Sequence, residues 1–197
     1  MRVAVAVSGR GSNLAALQAA LSQDAPARIV LVLSNTGTAG ALDFARHHAI
    51  PVQVLDDPAS AIEWTAALQK AGIDLVVLAG YLKRVPGEVV REWRGRMINI
   101  HPALLPRFGG PGMYGSKVHA AVLASGDRWS GATVHLVTEE YDEGEILGQS
   151  RVPVLEGDTP ATLAHRVLEA EHRLLPAAVL AAASAGKPVP FSVTPNP

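Results

Sequence analysis

Short apolar runs rich in β-branched residues recur through the first half of the chain. Val3–Val7 is the first, Arg28–Leu33 the second, Pro51–Leu55 the third and Asp74–Ala79 the fourth. The first and fourth lack polar alternation, as strands buried on both faces do, and such strands need helices above and below a parallel sheet. The intervening segments supply them. Helices are predicted over Leu14–Leu21, Gly40–His48 and Pro58–Ala71, with Gly72 as the stop after the last. Alternation on this spacing predicts an α/β fold with a doubly wound, mostly parallel sheet.

Chemistry converges on the fifth strand. In Met97-Ile98-Asn99-Ile100-His101-Pro102 the apolar residues carry the strand, and Pro102, with no N–H for a ladder, ends it. Side chains alternate across a strand, so Asn99 and His101 emerge on one side. They do so at the C-terminal end, the edge where open α/β sheets bind ligands. A strand-end His capping a loop beside an Asn closing a turn would look the same in sequence.

Around this strand, Pro86 can open a short helix to about Trp93. After it, residues 102–115 hold three Pro and four Gly, a long loop of the sort that tends to be functional. A helix is predicted over Ser116–Ala124. Strands at Ala132–Val137 and Ile146–Pro153 follow, and their short connection makes them antiparallel. Thr159-Pro160 reads as N-cap and first turn of a long helix to about Ala185. With 197 residues, no internal repeat and no linker-like stretch, one domain over 1–197 is expected.

Charge and composition set aside several classes. A formal net charge of -1 advertises neither nucleic acid nor an anionic membrane. The absence of Cys excludes thiol nucleophiles, disulfides and thiolate metal sites. No apolar run approaches the ~20 residues of a membrane span. The apolar start is of strand length and is broken by Gly9-Arg10-Gly11, so a soluble cytoplasmic protein is expected. Of the seven His, His47 and His48 read as surface residues at a helix end, and His165 and His172 share a face of the last helix. His119 lies on the helix after the long loop, and His135, inside a strand, reads as a satisfied core residue. None has zinc spacing such as His-Glu-x-x-His, so no metal is expected.

Two loops can carry chemistry. Ser8-Gly9-Arg10-Gly11-Ser12-Asn13-Leu14 is a glycine-rich turn between a strand and a helix, where backbone N–H groups suit a phosphate. A whole dinucleotide would want an acid after the second strand, and Ser34-Asn35-Thr36-Gly37 stands there instead. Thr138–Glu145 holds five acids in eight residues, a solvated loop or one that sets a carboxylate beside His101.

Taken together, Ser8–Leu14, Asp74-Leu75-Val76-Val77-Leu78-Ala79-Gly80-Tyr81, Asn99-Ile100-His101-Pro102-Ala103-Leu104-Leu105-Pro106 and Thr133-Val134-His135 ahead of Asp142 resemble the folate-dependent formyltransferases. The Gly-Ser-Asn loop is similar to that of the members acting on glycinamide ribonucleotide. The resemblance covers almost the whole chain. It implies a Rossmann-like formyltransferase fold with antiparallel strands in the C-terminal part, a phosphate-binding 1–100 half and a folate and catalytic 101–197 half. The implied reaction moves the formyl group of 10-formyltetrahydrofolate, a co-substrate, to the primary amine of N1-(5-phosphoribosyl)glycinamide in de novo purine (IMP) biosynthesis.

By position, Asn99, His101 and Asp142 would be catalytic. Asn99 and a protonated His101 would hold the oxyanion of a tetrahedral intermediate, and Asp142 would orient His101 and raise its pKa. Gly11, Ser12, Asn13 and Glu171 would bind the ribonucleotide. Leu82, Lys83, Arg84 and Val85, with Asn99 and the stretch Thr138, Glu139, Glu140, Tyr141 and Asp142, would line the folate pocket. The implied partners are these two small molecules, with no nucleic acid, no membrane and a homodimer left open.

There are departures. Between Asp56 and Gln69 the chain has no Lys or Arg for the folate tail, and Glu145 stands where the family often has Pro. The loop Arg107–Gly115 is expected to be mobile and to close over substrate. A formyltetrahydrofolate hydrolase normally has an extra N-terminal domain, and a methionyl-tRNA formyltransferase a C-terminal RNA-binding one. A nucleotide-binding sensor that lost the chemistry would not need Asn99, His101 and Asp142 together. An NAD-dependent oxidoreductase is disfavoured by the missing acid.

Overall fold

The run at Val3–Val7 occupies the middle of the molecule. In the computed structural model, which describes residues 1–192, it forms β1 (Arg2–Val7), with parallel neighbours β2 (Arg28–Ser34) and β4 (Leu75–Leu78). Outside them lie β3 (Val52–Val54), parallel to β2, and β5 (Met97–His101), parallel to β4. β6 (Trp129–Leu136) and β7 (Ile146–Pro153) add antiparallel to that side, completing a seven-stranded sheet in the order β3-β2-β1-β4-β5-β6-β7. The strand order reverses direction of growth at β1 and β4, the switch point at which such sheets leave a crevice.

Period-two alternation along β1 builds both cores. Val3, Val5 and Val7 pack on the face covered by α1 (Ser12–Ala20), α2 (Gly40–His47), α5 (Ser116–Ser125) and α6 (Pro160–Ala185). Ala4 and Ala6 pack on the other face, with Trp64 and Leu68 of α3 (Ala61–Lys70) and Val89 and Val90 of α4 (Gly87–Glu92). The small alanines suit the fully buried Trp64, whose indole N–H donates to the Pro58 carbonyl at 3.2 Å. Each fully buried Val or Leu in these layers contributes roughly 1.5–3 kcal/mol relative to exposure.

Element ends depart from the sequence reading where side chains compete for backbone groups. α3 begins at Ala61 rather than Pro58, because Ser60 caps it by accepting from Glu63 N–H, and the Glu63 carboxylate turns back to Asp56 N–H at 2.9 Å. β6 begins at Trp129 rather than Ala132, since Trp129, Ser130 and Gly131 pair with the end of β7. α6 starts as expected, with Thr159 and Thr162 forming a reciprocal cap around Pro160. Among the described residues, no helix is long and apolar enough to cross a membrane.

Candidate active site

The C-terminal ends of β1, β4 and β5 open into a cavity of about 930 Å³. Its phosphate-sized end is the loop after β1. Ser8 Oγ donates to Asn35 Oδ1 at 2.5 Å and accepts from Leu82 N–H at 2.8 Å, clamping the loop between two neighbouring turns. Gly11 then takes φ 81 as the residue before α1. A Cβ there would lie 2.5 Å from Ala41 Cβ, so the close approach of α2 also demands glycine. No side chain among the described residues caps α1, which leaves its first N–H groups, at residues lining the cavity, for an anion.

α6 brings Glu171 to the same end. Asn13 Nδ2 donates to Glu171 Oε2 at 2.5 Å, and both side chains are buried. Glu171 is therefore not a solvated helix carboxylate. Burial pushes its carboxyl up to about 7, with the Asn13 hydrogen bond partly opposing the rise. The folded state thus holds a proton that the unfolded chain releases near pH 4.5. Stability from this group is fully present below that value and is lost as pH rises through about 7. Glu171→Gln is expected to flatten this decline, which is worth on the order of 3 kcal/mol by linkage. Urea melts at pH 5 and pH 8 check it; equal pH slopes in both proteins would remove Glu171 as the source.

At the centre of the cavity are the residues of β5. His101 is 4% exposed, and its Nε2 lies 2.8 Å from the Phe108 carbonyl. A carbonyl only accepts, so Nε2 carries the proton and donates. Nδ1 is left facing Asp142 Oδ1 at 3.6 Å. Asn99 stands opposite His135 in the β5–β6 register, and its amide nitrogen lies 3.1 Å from His135 Nε2. His135 Nδ1 donates to the Leu136 carbonyl at 2.8 Å, so in this tautomer Nε2 accepts from the Asn99 amide and orients it. Asp142 Oδ1 also lies 3.4 Å from His135 Nε2, and its Oδ2 accepts from Gly110 N–H at 2.9 Å.

The charges here divide unevenly. Burial lowers the His101 pKa, the largest influence on it, and the Asp142 carboxylate raises it without fully compensating. The Asp142 charge at 3.6 Å acts in the expected direction but does not outweigh the loss of water around the ring. Burial acts to raise the Asp142 carboxyl, yet the two imidazoles beside it, His135 and His101, and the hydrogen bond from Gly110 N–H hold it below its ordinary value. A carboxylate thus stands beside an imidazole whose Nε2–H is held by a carbonyl and whose Nδ1 faces it.

Residues 1–179 match the family described as Formyl transferase. The chain belongs to the formyl transferase family. It is 48% identical over 181 residues to a chloroplastic phosphoribosylglycinamide formyltransferase of Arabidopsis thaliana, covering 88% of this chain and 62% of that one. It thus spans less than two thirds of that plant relative's length. A phosphoribosylglycinamide formyltransferase of Haemophilus influenzae is 36% identical over 182 residues, which are 89% of this chain and 84% of the relative. A crystal structure of a phosphoribosylglycinamide formyltransferase from Anaplasma phagocytophilum superposes with TM-score 0.87 at 38% identity, covering 93% of this chain and 87% of the other.

The far end of the cavity is walled by Leu82, Lys83, Arg84 and Val85 on one side and Thr138, Glu139, Glu140 and Tyr141 on the other. The two walls are tied together: the Arg84 guanidinium donates to the Glu139 carbonyl at 2.8 Å, and Arg91 pairs with the Glu139 carboxylate at 2.7 Å. Gly144 sets the turn after Asp142, since a Cβ there would collide with the Leu136 carbonyl. All the candidate residues named from sequence line this one cavity.

Two cavity residues were missed in sequence. His135 read as core, and His119 had no assignment; both are buried and line the cavity, and His119 Nδ1 has no hydrogen-bond partner among the described residues. For His135 a signal existed. Thr133 and His135 alternate with apolar Ala132 and Val134 in a strand whose apolar residues face a core, which marks a second, polar-lined face. Among the described residues no cluster of three or more His, Cys, Asp or Glu is placed to hold a metal ion.

Proposed function

We propose that this formyl transferase moves the formyl group of 10-formyltetrahydrofolate to the primary amine of N1-(5-phosphoribosyl)glycinamide, a step of de novo purine (IMP) biosynthesis. The observation that carries the reading is the continuity of the cavity. One space joins the uncapped N-terminus of α1 to the Asn99–His101–Asp142 set and on to the 82–85 and 138–141 walls. A phosphorylated amine and a flat, extended formyl donor can therefore meet at His101.

In this reading the phosphate sits on the N–H groups of Gly11, Ser12 and Asn13, and Glu171 takes the ribose or amine end. The folate ring lies against Leu82, Lys83, Arg84 and Val85, with Asn99 and the backbone of Thr138–Asp142 reading its polar edge. The 1–100 half then supplies the phosphate loop and the 101–197 half most of the catalytic set. The amine attacks the formyl carbon, and the formyl oxygen becomes an oxyanion within reach of the Asn99 amide N–H. Neutral His101 accepts the amine proton at Nδ1, and the Asp142 carboxylate stabilises the resulting imidazolium. Collapse breaks the bond to the folate nitrogen, which takes up one proton. One C–N bond forms, one breaks, and no electrons change hands. A cytoplasmic location belongs to the same proposal.

The deciding experiment gives purified protein 10-formyltetrahydrofolate with and without the ribonucleotide and follows formylated ribonucleotide and free formate. Product that depends on the ribonucleotide supports the proposal. Formate released without it would make the chain a hydrolase, and ligand binding with neither product would make it a sensor. Ser12→Asp sets an anion where the phosphate is held. It is expected to raise the ribonucleotide KM by about tenfold or more, a loss of about 1.4 kcal/mol, with the folate KM little changed. An unaltered ribonucleotide KM would take the phosphate away from this loop.

A further inference from the structure

Gln149 lies on β7, at the edge of the sheet, and its residue surface is exposed. Its amide nitrogen nonetheless donates inward, to the Leu105 carbonyl at 2.9 Å and to Thr133 Oγ1 at 2.9 Å. The Thr133 hydroxyl, fully buried, also accepts from Leu105 N–H at 3.1 Å and donates to the Ala103 carbonyl at 2.6 Å. One proton and two lone pairs are all that a hydroxyl has, so it is saturated. Thr133 stands opposite His101 in one register and opposite Gln149 in the other. Neither Thr133 nor Gln149 lines the cavity.

These bonds fix residues 103–105, directly after the strand that carries His101. The same turn continues to Phe108, which takes the left-handed φ of 59 and places its carbonyl on His101 Nε2. Side chains rarely adopt that conformation unless the surroundings impose it. Gly109 packs against Leu105, since a Cβ there would lie 2.6 Å from Leu105 Cδ2. Gly110 N–H then holds Asp142. One end of the turn is pinned by Gln149 and Thr133, and the other touches both members of the acid–base pair.

We propose that Gln149 is a positioning residue for His101, acting through Thr133 and Leu105 to hold the Phe108 carbonyl against the ring. The catalytic part of this assignment rests on His101 being the acid–base group; the structural part does not. A ring whose Nε2–H is held on a carbonyl stays in one tautomer, with Nδ1 free toward Asp142. Releasing the turn lets the ring turn over and carry its proton at Nδ1.

The test compares Gln149→Leu, which removes both donors at an exposed position, with Thr133→Ser, which keeps the hydroxyl. Nitrogen-15 NMR of the His101 ring in the substrate-free protein is expected to show the Nε2-protonated tautomer in the wild type and in Thr133→Ser. Mixed or Nδ1-protonated signals are expected in Gln149→Leu. Turnover of Gln149→Leu is expected to fall by about tenfold or more. Its rate–pH profile should shift while both KM values stay within about twofold. Wild-type ring signals and an unmoved pH profile in Gln149→Leu would overturn the proposal, whatever its melting temperature. Ring signals that move as expected in a protein showing no formyl transfer would support the role of Gln149 and overturn the transferase function.

Discussion

His101→Ala is expected to lower turnover by about a hundred- to ten-thousandfold, the range for a lost acid–base group. The substitution removes a cavity-lining side chain whose Nδ1 faces the Asp142 carboxylate. KM values for both substrates should change little, because neither the α1 N-terminus nor the folate walls depend on the imidazole. The fold should survive. The strand ladder of β5 uses backbone groups, and the Phe108 carbonyl loses one hydrogen bond, a cost of about 1–3 kcal/mol. Single-turnover formyl transfer with a thermal melt in parallel measures both parts. A folded His101→Ala protein with near-normal turnover would remove His101 from the chemistry and leave the proton to a held water.

Asp142→Asn should cost turnover on the order of a thousandfold, as when the charged orienting partner of a catalytic imidazole is replaced by its amide. The shape is kept, but the charge that offsets burial at His101 is gone. Burial already wins at His101 with the carboxylate present. Without it the imidazolium formed on taking the amine proton is costlier still, and the His101 pKa moves further down. The acid-side limb of the rate–pH profile should therefore shift to lower pH as the plateau drops. An amide nitrogen would also be presented to whichever partner the Oδ atoms now serve, His101 and His135 on one side or Gly110 N–H on the other. A variant with reduced rate but an unmoved acid limb would show that another group titrates.

Much of the fold was legible because burial on two faces leaves a visible mark. The unbroken apolar runs at β1 and β4 and the helices between them follow from periodicity alone. The boundaries at Ala61 and Trp129 were not legible. The first depends on the Ser60 and Glu63 side chains reaching backbone N–H groups, the second on which partner β6 meets at its start. Within the site, Asn99 and His101 were visible as a pair on one strand face. His135 showed only as a polar residue alternating with Ala132 and Val134, and its register opposite Asn99 is what ties it to the site.

The sequence by itself determined the alternation of strands and helices, the glycine-rich turn before α1 and the joint presentation of an amide and an imidazole at the end of β5. These are local matters: they depend on side-chain period, on the missing N–H of Pro102 and on the φ that Gly11 must adopt. Only the tertiary structure decided how near Asp142 stands to His101, that Asn13 meets Glu171, and that burial outweighs the Asp142 charge at the His101 ring. The reason is desolvation. A titratable group's charge depends on how much water its neighbours exclude and which dipoles replace that water, and those neighbours come from strands and helices far apart in the chain.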